Sequence, residues 1–405
     1  MKNKISIAVI VLGLVASSFS CFAQPCYAAR LSRKDKKEQS FLDVAKASFD
    51  EKQYDTAIEY YTKAIKLNPD NAESYAKRGN AEYLLGKYKE AVTDYSKAIE
   101  LDPKRENLYY NRGIAKSNLN DYEDVVEDYT KELEINPDNV NAYLNRGTTN
   151  VLLKKYAKAI EDFDKAISLD PKNELAYFNR GIAKRNLGNY DGAIQDYTKL
   201  ISLNPNYIDA YNNRGVAKFY MKKYSEAIED YSKVIALDKN FSRAYYNRGI
   251  AKLGLKKYED AILDFTKELE VNPKNDLAYY ERAIAEVTLE HYNSAIEDYT
   301  KAIELNDKNP DYYYARGSVI SKTDGDLKLA EKDLNKAIEL DSKDAEKYLT
   351  RAIIYCKLEM YLPAIDDLNI VIKLDPDNTQ AYDLRSYAIS SLNSVIKKAK
   401  DNKVR

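Results

Sequence analysis

The sequence predicts an all-α protein built as a stacked array of helix pairs. Three observations predict it: a marker that returns every 34 residues, two amphipathic runs inside each interval, and few helix breakers. The marker is Tyr-x-x-Arg, usually followed by Gly. It stands at Tyr75, Tyr109, Tyr143, Tyr177, Tyr211, Tyr245, Tyr279 and Tyr313, each 34 residues after the last, then at Tyr348 after 35 and Tyr382 after 34. Between Asn141 and Pro171, apolar and small residues recur at steps of three and four in two runs parted by a few turn residues, the pattern of two amphipathic helices. Only 13 glycines and 10 prolines occur in 405 residues, which excludes collagen, disorder and a Gly-rich nucleotide scaffold.

Ten units start near residues 38, 72, 106, 140, 174, 208, 242, 276, 310 and 345, together covering 38–376. In the fourth unit, small residues Gly147, Ala159 and Ala166 stand at places 8, 20 and 27. Aromatics Tyr143, Tyr156 and Phe163 stand at 4, 17 and 24, and Pro171 at 32. These residues resemble the tetratricopeptide repeat family, from Glu38 to Pro376, with Tyr382 to about Lys398 as a closing helix within a capping segment at 377–398. The resemblance implies a right-handed superhelical solenoid whose first helices line a concave face that binds proteins. Neighbouring units stack because one hairpin cannot bury both its faces. Asn or Asp before Pro, as at Asn68, Asp102, Asn136, Asp170 and Asn204, is expected to end one helix and to cap the next, with Pro at its first position. Places 4, 17 and 24 account for 25 of the 37 tyrosines, so tyrosine abundance is packing rather than a platform for bases. The ninth unit carries one extra residue within SKTDGDLKLAEKD, expected in the turn before its second helix.

Place 7 is an arginine column, Arg78, Arg112, Arg146, Arg180, Arg214, Arg248 and Arg282, continued by Arg316, Arg351 and Arg385. Place 23 is an aspartate column, Asp94, Asp128, Asp162, Asp196, Asp230, Asp264 and Asp298, continued by Asp333 and Asp367. The first unit lacks both partners, with Val44 and Tyr60 instead. A structural ion pair between the two helices of each unit accounts for this, and Arg146 is expected to reach Asp162 rather than Asp128. Arg385, which has no second helix of its own, favours a pairing across units.

The candidate peptide-binding residues lie on the first helices. Place 6 reads Asn111, Asn145, Asn179, Asn213 and Asn247, and a regularly spaced amide can both donate to and accept from an extended backbone. Beside it, place 5 supplies Tyr110, Phe178, Tyr246, Tyr280 and Tyr314. The same column is also what duplication of a helix-surface residue would leave. The family's clamp for acidic chaperone tails does not fit, because Ala76, Asn141 and Asn145 stand where it needs Lys, Lys and Arg.

Residues 1–29 read as a signal peptide: Lys2 and Lys4, then an uncharged run from Ile5 to Ala23, with Cys21 and Ala23 suiting a cut after Ala23 and Cys26 to Ala28 a later one. Ser-Phe-Ser-Cys21 is a poor match to a lipidation box. Membrane contact is expected only through an uncleaved leader or a lipid on Cys21. A basic leader at 30–37 and a polar tail at 399–405 flank the array. The expected location is therefore outside the cytoplasm: periplasm, envelope or secreted. With 63 Lys and Arg against 64 Asp and Glu, no field favours nucleic acid, and the single histidine, His291, leaves no His–His metal pair and only one candidate base for a serine or cysteine nucleophile. No cofactor, metal or catalytic residue is expected. The reading is a non-catalytic scaffold or adaptor holding a protein or linear peptide; an envelope assembly or chaperone factor for unfolded chains, and an accessory module of an enzyme complex, are its alternatives.

Overall fold

The computed structural model describes residues 32–323 and 325–403; the expected leader with Cys21 and Cys26, and Asp324, lie outside them. The described residues form 21 helices and no strand. The chain divides into two compact units, one ending at Ala217 and the other beginning at Lys218. The first contains α1 (Arg33–Asp50), α2 (Tyr54–Leu67), α3 (Ala72–Leu84), α4 (Tyr88–Leu101), α5 (Leu108–Ser117), α6 (Tyr122–Ile135), α7 (Val140–Leu152), α8 (Tyr156–Leu169), α9 (Glu174–Asn186) and α10 (Tyr190–Leu203), with α11 (Ile208–Tyr220) running through the boundary. The second contains α12 (Tyr224–Leu237), α13 (Ser242–Gly254), α14 (Tyr258–Val271), α15 (Asp276–Thr288), α16 (Tyr292–Leu305), α17 (Pro310–Lys322), α18 (Leu327–Leu340), α19 (Ala345–Lys357), α20 (Tyr361–Leu374) and α21 (Thr379–Lys403).

Within each unit a first helix packs on its own second helix and that one on the next first helix, as α7 on α8 and α8 on α9. Ala159, Ala193, Ala261 and Ala295 at place 20 are fully buried, which lets the axes approach closely. The glycine at place 8 has a specific reason. A Cβ on Gly181 would stand 2.6 Å from Cε1 of Tyr197, whose ring has no exposed surface and nowhere to move. Gly181→Ala gains helix propensity worth roughly 1 kcal/mol but overpacks the ring at a cost of about 1–3 kcal/mol, so a net loss of about 1 kcal/mol is expected in urea denaturation. An unchanged or raised midpoint would refute that contact.

Three sequence expectations need correction. Asp170 ends α8, its N–H bonded to Ala166 O at 2.8 Å, but it does not cap the next helix. Its Oδ1 accepts the Lys172 N–H at 3.1 Å, and Asn173 caps α9 by accepting from Ala176 N at 3.0 Å. Reversing direction between antiparallel helices needs those turn residues, so Pro171 sits in the turn; Pro310, by contrast, is the first residue of α17. Second, α1 starts at Arg33, inside the stretch expected as a leader, because Ser32 and Asp35 form a reciprocal capping box. Third, α21 runs to Lys403, past the expected end of the capping helix. The extra residue of the ninth repeat falls between the end of α17 at Lys322 and the start of α18 at Leu327.

Candidate functional site

Most arginines of place 7 are held on three sides. Arg146 of α7 donates from Nε and Nη2 to Asp162 of α8, with Nη2 to Oδ1 at 2.6 Å. The same contact joins Arg78 to Asp94, Arg112 to Asp128, Arg180 to Asp196, Arg248 to Asp264, Arg282 to Asp298, Arg316 to Asp333 and Arg351 to Asp367, at 2.6–2.7 Å. These aspartates are buried. Arg214 donates to Thr198 at 3.0 Å, and Asp230 receives Lys218 at 2.9 Å.

Nη1 meanwhile reaches back to place 25 of the preceding repeat. Arg78 donates to Thr62, Arg112 to Ser96, Arg146 to Thr130, Arg248 to Ser232, Arg282 to Thr266 and Arg316 to Thr300, at 2.9–3.1 Å. The hydroxyl can take this role because its own hydrogen goes to the carbonyl four residues back, as from Thr130 to Val126 at 2.7 Å. Below the guanidinium lies the ring of the place-4 tyrosine, as Tyr143 under Arg146 at 5.7 Å. The arginine column is therefore a set of staples within and between repeats, not a basic stripe. The place-25 column was legible as Thr62, Ser96, Thr130, Thr198, Ser232, Thr266 and Thr300 at a step of 34 that only Asp164, which receives Arg180, interrupts, and it also accounts for Arg385, which donates to Asn369 at 2.9 Å.

A second position missed in the sequence is place 11, which faces the aspartate. Lys116, Lys184 and Lys252 there reach Asp128, Asp196 and Asp264 at 2.8–3.2 Å, and Asn150 donates to Asp162 at 3.2 Å. Glu82 and Glu286 occupy the same place as buried carboxyls, each with an unpartnered Oε2. Burial, with Asp94 beside Glu82 and Asp298 beside Glu286, pushes both up to about 7.

The asparagine column is not a groove lining in the first unit. Asn111, Asn145 and Asn179 are buried and donate to the preceding repeat: to Asn80 at 3.4 Å, to the Tyr110 hydroxyl at 3.3 Å and to Thr148 at 3.3 Å. Tyr110 and Phe178 beside them are buried as well, Phe178 with its ring centroid 5.3 Å from that of Tyr207. Asn213 is half-buried, accepts from Arg185 at 2.8 Å and donates to the Asp209 carbonyl. Close stacking of α3, α5, α7 and α9 takes these amides and rings out of a ligand's reach.

In the second unit the same places, with place 9 beside them, are half-buried like Asn213: Tyr246, Asn247 and Ile250 on α13, Tyr280, Glu281 and Ile284 on α15, and Tyr314 and Ala315 on α17. Their rings are braced from beneath, Tyr246 on Phe265 at 5.9 Å and Tyr280 on Tyr299 at 5.7 Å and Tyr312 at 5.0 Å. Glu281 replaces the asparagine of place 6, and no cation reaches it among the described residues. Burial pushes its carboxyl above the usual range. The face combines rigid aromatic rings with one poorly solvated acid. Outside it, His291 is exposed in the turn before α16, and burial pushes the Cys356 thiol up, away from reactivity.

Family models described as TPR repeat match residues 45–86, 79–120, 183–222 and 285–324, and models described as tetratricopeptide repeat match 106–139, 140–173, 163–195, 208–241, 242–275 and 310–344. The chain belongs to the tetratricopeptide repeat family. Among solved structures, the C-terminal part of a TPR repeat-containing protein from Cytophaga hutchinsonii is 22% identical over 60% of this chain and 98% of its own, with a TM-score of 0.53, and shares the fold. A MamA protein is 32% identical over 42% of this chain and 92% of its own, with a TM-score of 0.40. YrrB, described as a TPR protein with an unusual peptide-binding site, is 26% identical over 50% of this chain and 100% of its own, with a TM-score of 0.43. No curated protein matches this tetratricopeptide repeat chain.

Proposed function

We propose that the protein is an exported, non-catalytic scaffold that holds an extended segment of another protein on the first helices of its second unit. The observation that carries this reading is the contrast at places 5, 6 and 9. These places are buried on α5, α7 and α9 but only half-buried on α13 and α15, as they already are on α11, and place 5 is half-buried on α17 too, so the second unit carries most of the first-helix places that keep exposed surface. Braced tyrosines offer large contact area at low entropic cost. The uncompensated Glu281 favours a segment with a lysine or arginine between apolar residues, since a cation there would relieve a poorly solvated carboxylate.

Selection of a random peptide library on the full chain should enrich such segments. Tyr246→Ala, Tyr280→Ala and Tyr314→Ala combined should weaken the selected peptide at least about tenfold, with Glu281→Gln weakening chiefly peptides that carry the cation. Retained affinity in the triple variant would reject this face. The exported location rests on the Lys2 and Lys4 flank and the apolar run from Ile5 to Ala23; cell fractionation with N-terminal sequencing of the mature chain tests it, and a cytoplasmic chain with its leader intact would refute it.

A further inference from the structure

The register of α21 is that of a first helix: Tyr382, Arg385, Ser386 and Ile389 stand at places 4, 7, 8 and 11. In the repeats those places seat the second helix. The residue at 8 meets the ring at 24, the arginine at 7 grips the aspartate at 23, and the residue at 11 is covered, as Ile320 is at 3% exposure. On α21 this seat is uncovered. Tyr382 and Ile389 are 40% and 43% exposed, and Ser386 is exposed. Arg385 is fixed by Asn369 at 2.9 Å and by the Tyr382 ring at 5.4 Å, yet no carboxylate reaches it among the described residues. The helix also continues for 25 residues where the inner first helices α3 to α19 stop after 10 to 13, so the chain does not turn back here to cover it.

We infer that this face of α21 docks one amphipathic helix of a partner protein, bearing a small residue, an acidic residue three places on, and an aromatic or leucine directly after. Charge and shape choose that occupant. Arg385 is pre-positioned for a carboxylate, and the repeats show what it would grip: Ala295, Asp298 and Tyr299 on α16, or Ala364, Asp367 and Leu368 on α20. A Cβ at place 8 is tolerated, because Ala283 already faces Tyr299. A second copy fits poorly. Two α21 helices related by a twofold would oppose Arg385 to Arg385, while Asp383, two residues away, lies roughly 200° around the helix. The second helices described here already use this surface inside their own repeats.

The test uses the full chain and a fluorescent peptide with the α16 sequence, Tyr292 to Leu305, locked as a helix by a lactam between Glu297 and Lys301, both exposed in the protein. Saturable one-to-one binding is expected, weakened at least about tenfold by Arg385→Ala in the protein or Asp298→Asn in the peptide. Exchanging the charges, Arg385→Asp with Asp298→Arg, should restore part of it. Ile389→Lys, a change at an exposed position, should block binding while leaving the circular dichroism melt unchanged. No saturable binding, binding indifferent to Arg385→Ala and Ile389→Lys, or a self-associated chain whose contact survives Arg385→Ala and excludes the peptide would each overturn the inference.

Discussion

Arg351→Leu should cost about 3–5 kcal/mol, the usual penalty for stranding one member of a buried ion pair. Asp367 is 3% exposed, and its only hydrogen-bond donor among the described residues is Arg351, at 2.7–2.8 Å. Burial already pushes the Asp367 carboxyl above the usual range, with Arg351 pulling against it, so the pair sits near the balance between desolvation and attraction. That balance makes the second variant informative. Arg351→Leu with Asp367→Leu removes both charges and replaces them with apolar volume, as the first repeat does with Val44 and Tyr60, and should recover at least half of the loss. Hydrogen exchange should locate the damage in α19 and α20, because repeat arrays open locally. The cost of the single variant should shrink in acid, where Asp367 can protonate. Equal losses in the single and double variants would mean that Arg351 acts through its stacking on Tyr348 and Tyr355, at 5.6 Å each, rather than through its charge.

Residues whose partner lies within one repeat were legible in the sequence, because a fixed step ties them together. The Arg146 and Asp162 columns are such a case, 16 residues apart in unit after unit. Thr130 was just as regular, but a hydroxyl on a helix has too many ordinary uses for its spacing alone to point to Arg146. The fate of the asparagines was a different problem. Asn179 and Asn247 share a register and neighbours of the same type, yet one is buried against Thr148 and the other half-exposed. Which face of a first helix is covered depends on the rotation between successive hairpins, a sum of small packing angles to which many residues contribute. No single column encodes that sum, so the choice between clamp and core could not be read from place 6. Place 11 was overlooked because its residue types vary: Lys116, Asn150, Glu82 and Ile320 look unrelated until all are seen to face the second helix.

That variation at place 11 predicts a pH dependence. Glu82 faces Asp94 on α4, with Arg78 on its own helix and Glu90 at the start of α4; Glu286 faces Asp298 on α16, with Arg282 and Glu297 nearby. Lys252, at the corresponding place, instead reaches Asp264 at 2.8 Å. Burial first, and the neighbouring aspartate second, hold both glutamates up near 7, against about 4.5 in the unfolded chain. A carboxyl with a raised folded-state value binds its proton more tightly when folded. Its contribution is therefore fully present below about 4.5 and is lost as pH rises through about 7. Allowing for solvent screening, each glutamate should withdraw on the order of 1–2 kcal/mol between roughly pH 4.5 and 7.5. Glu82→Gln with Glu286→Gln keeps the shape of the protonated carboxyl and removes its titration, so thermal melts across that range should flatten and the variant should exceed wild type at the alkaline end. Glu82→Lys with Glu286→Lys should go further, since a lysine there would meet the aspartate as Lys252 does. Parallel pH profiles for wild type and the glutamine variant would show that the two carboxyls stay ionised when buried, held by Arg78 and Arg282 rather than by a proton.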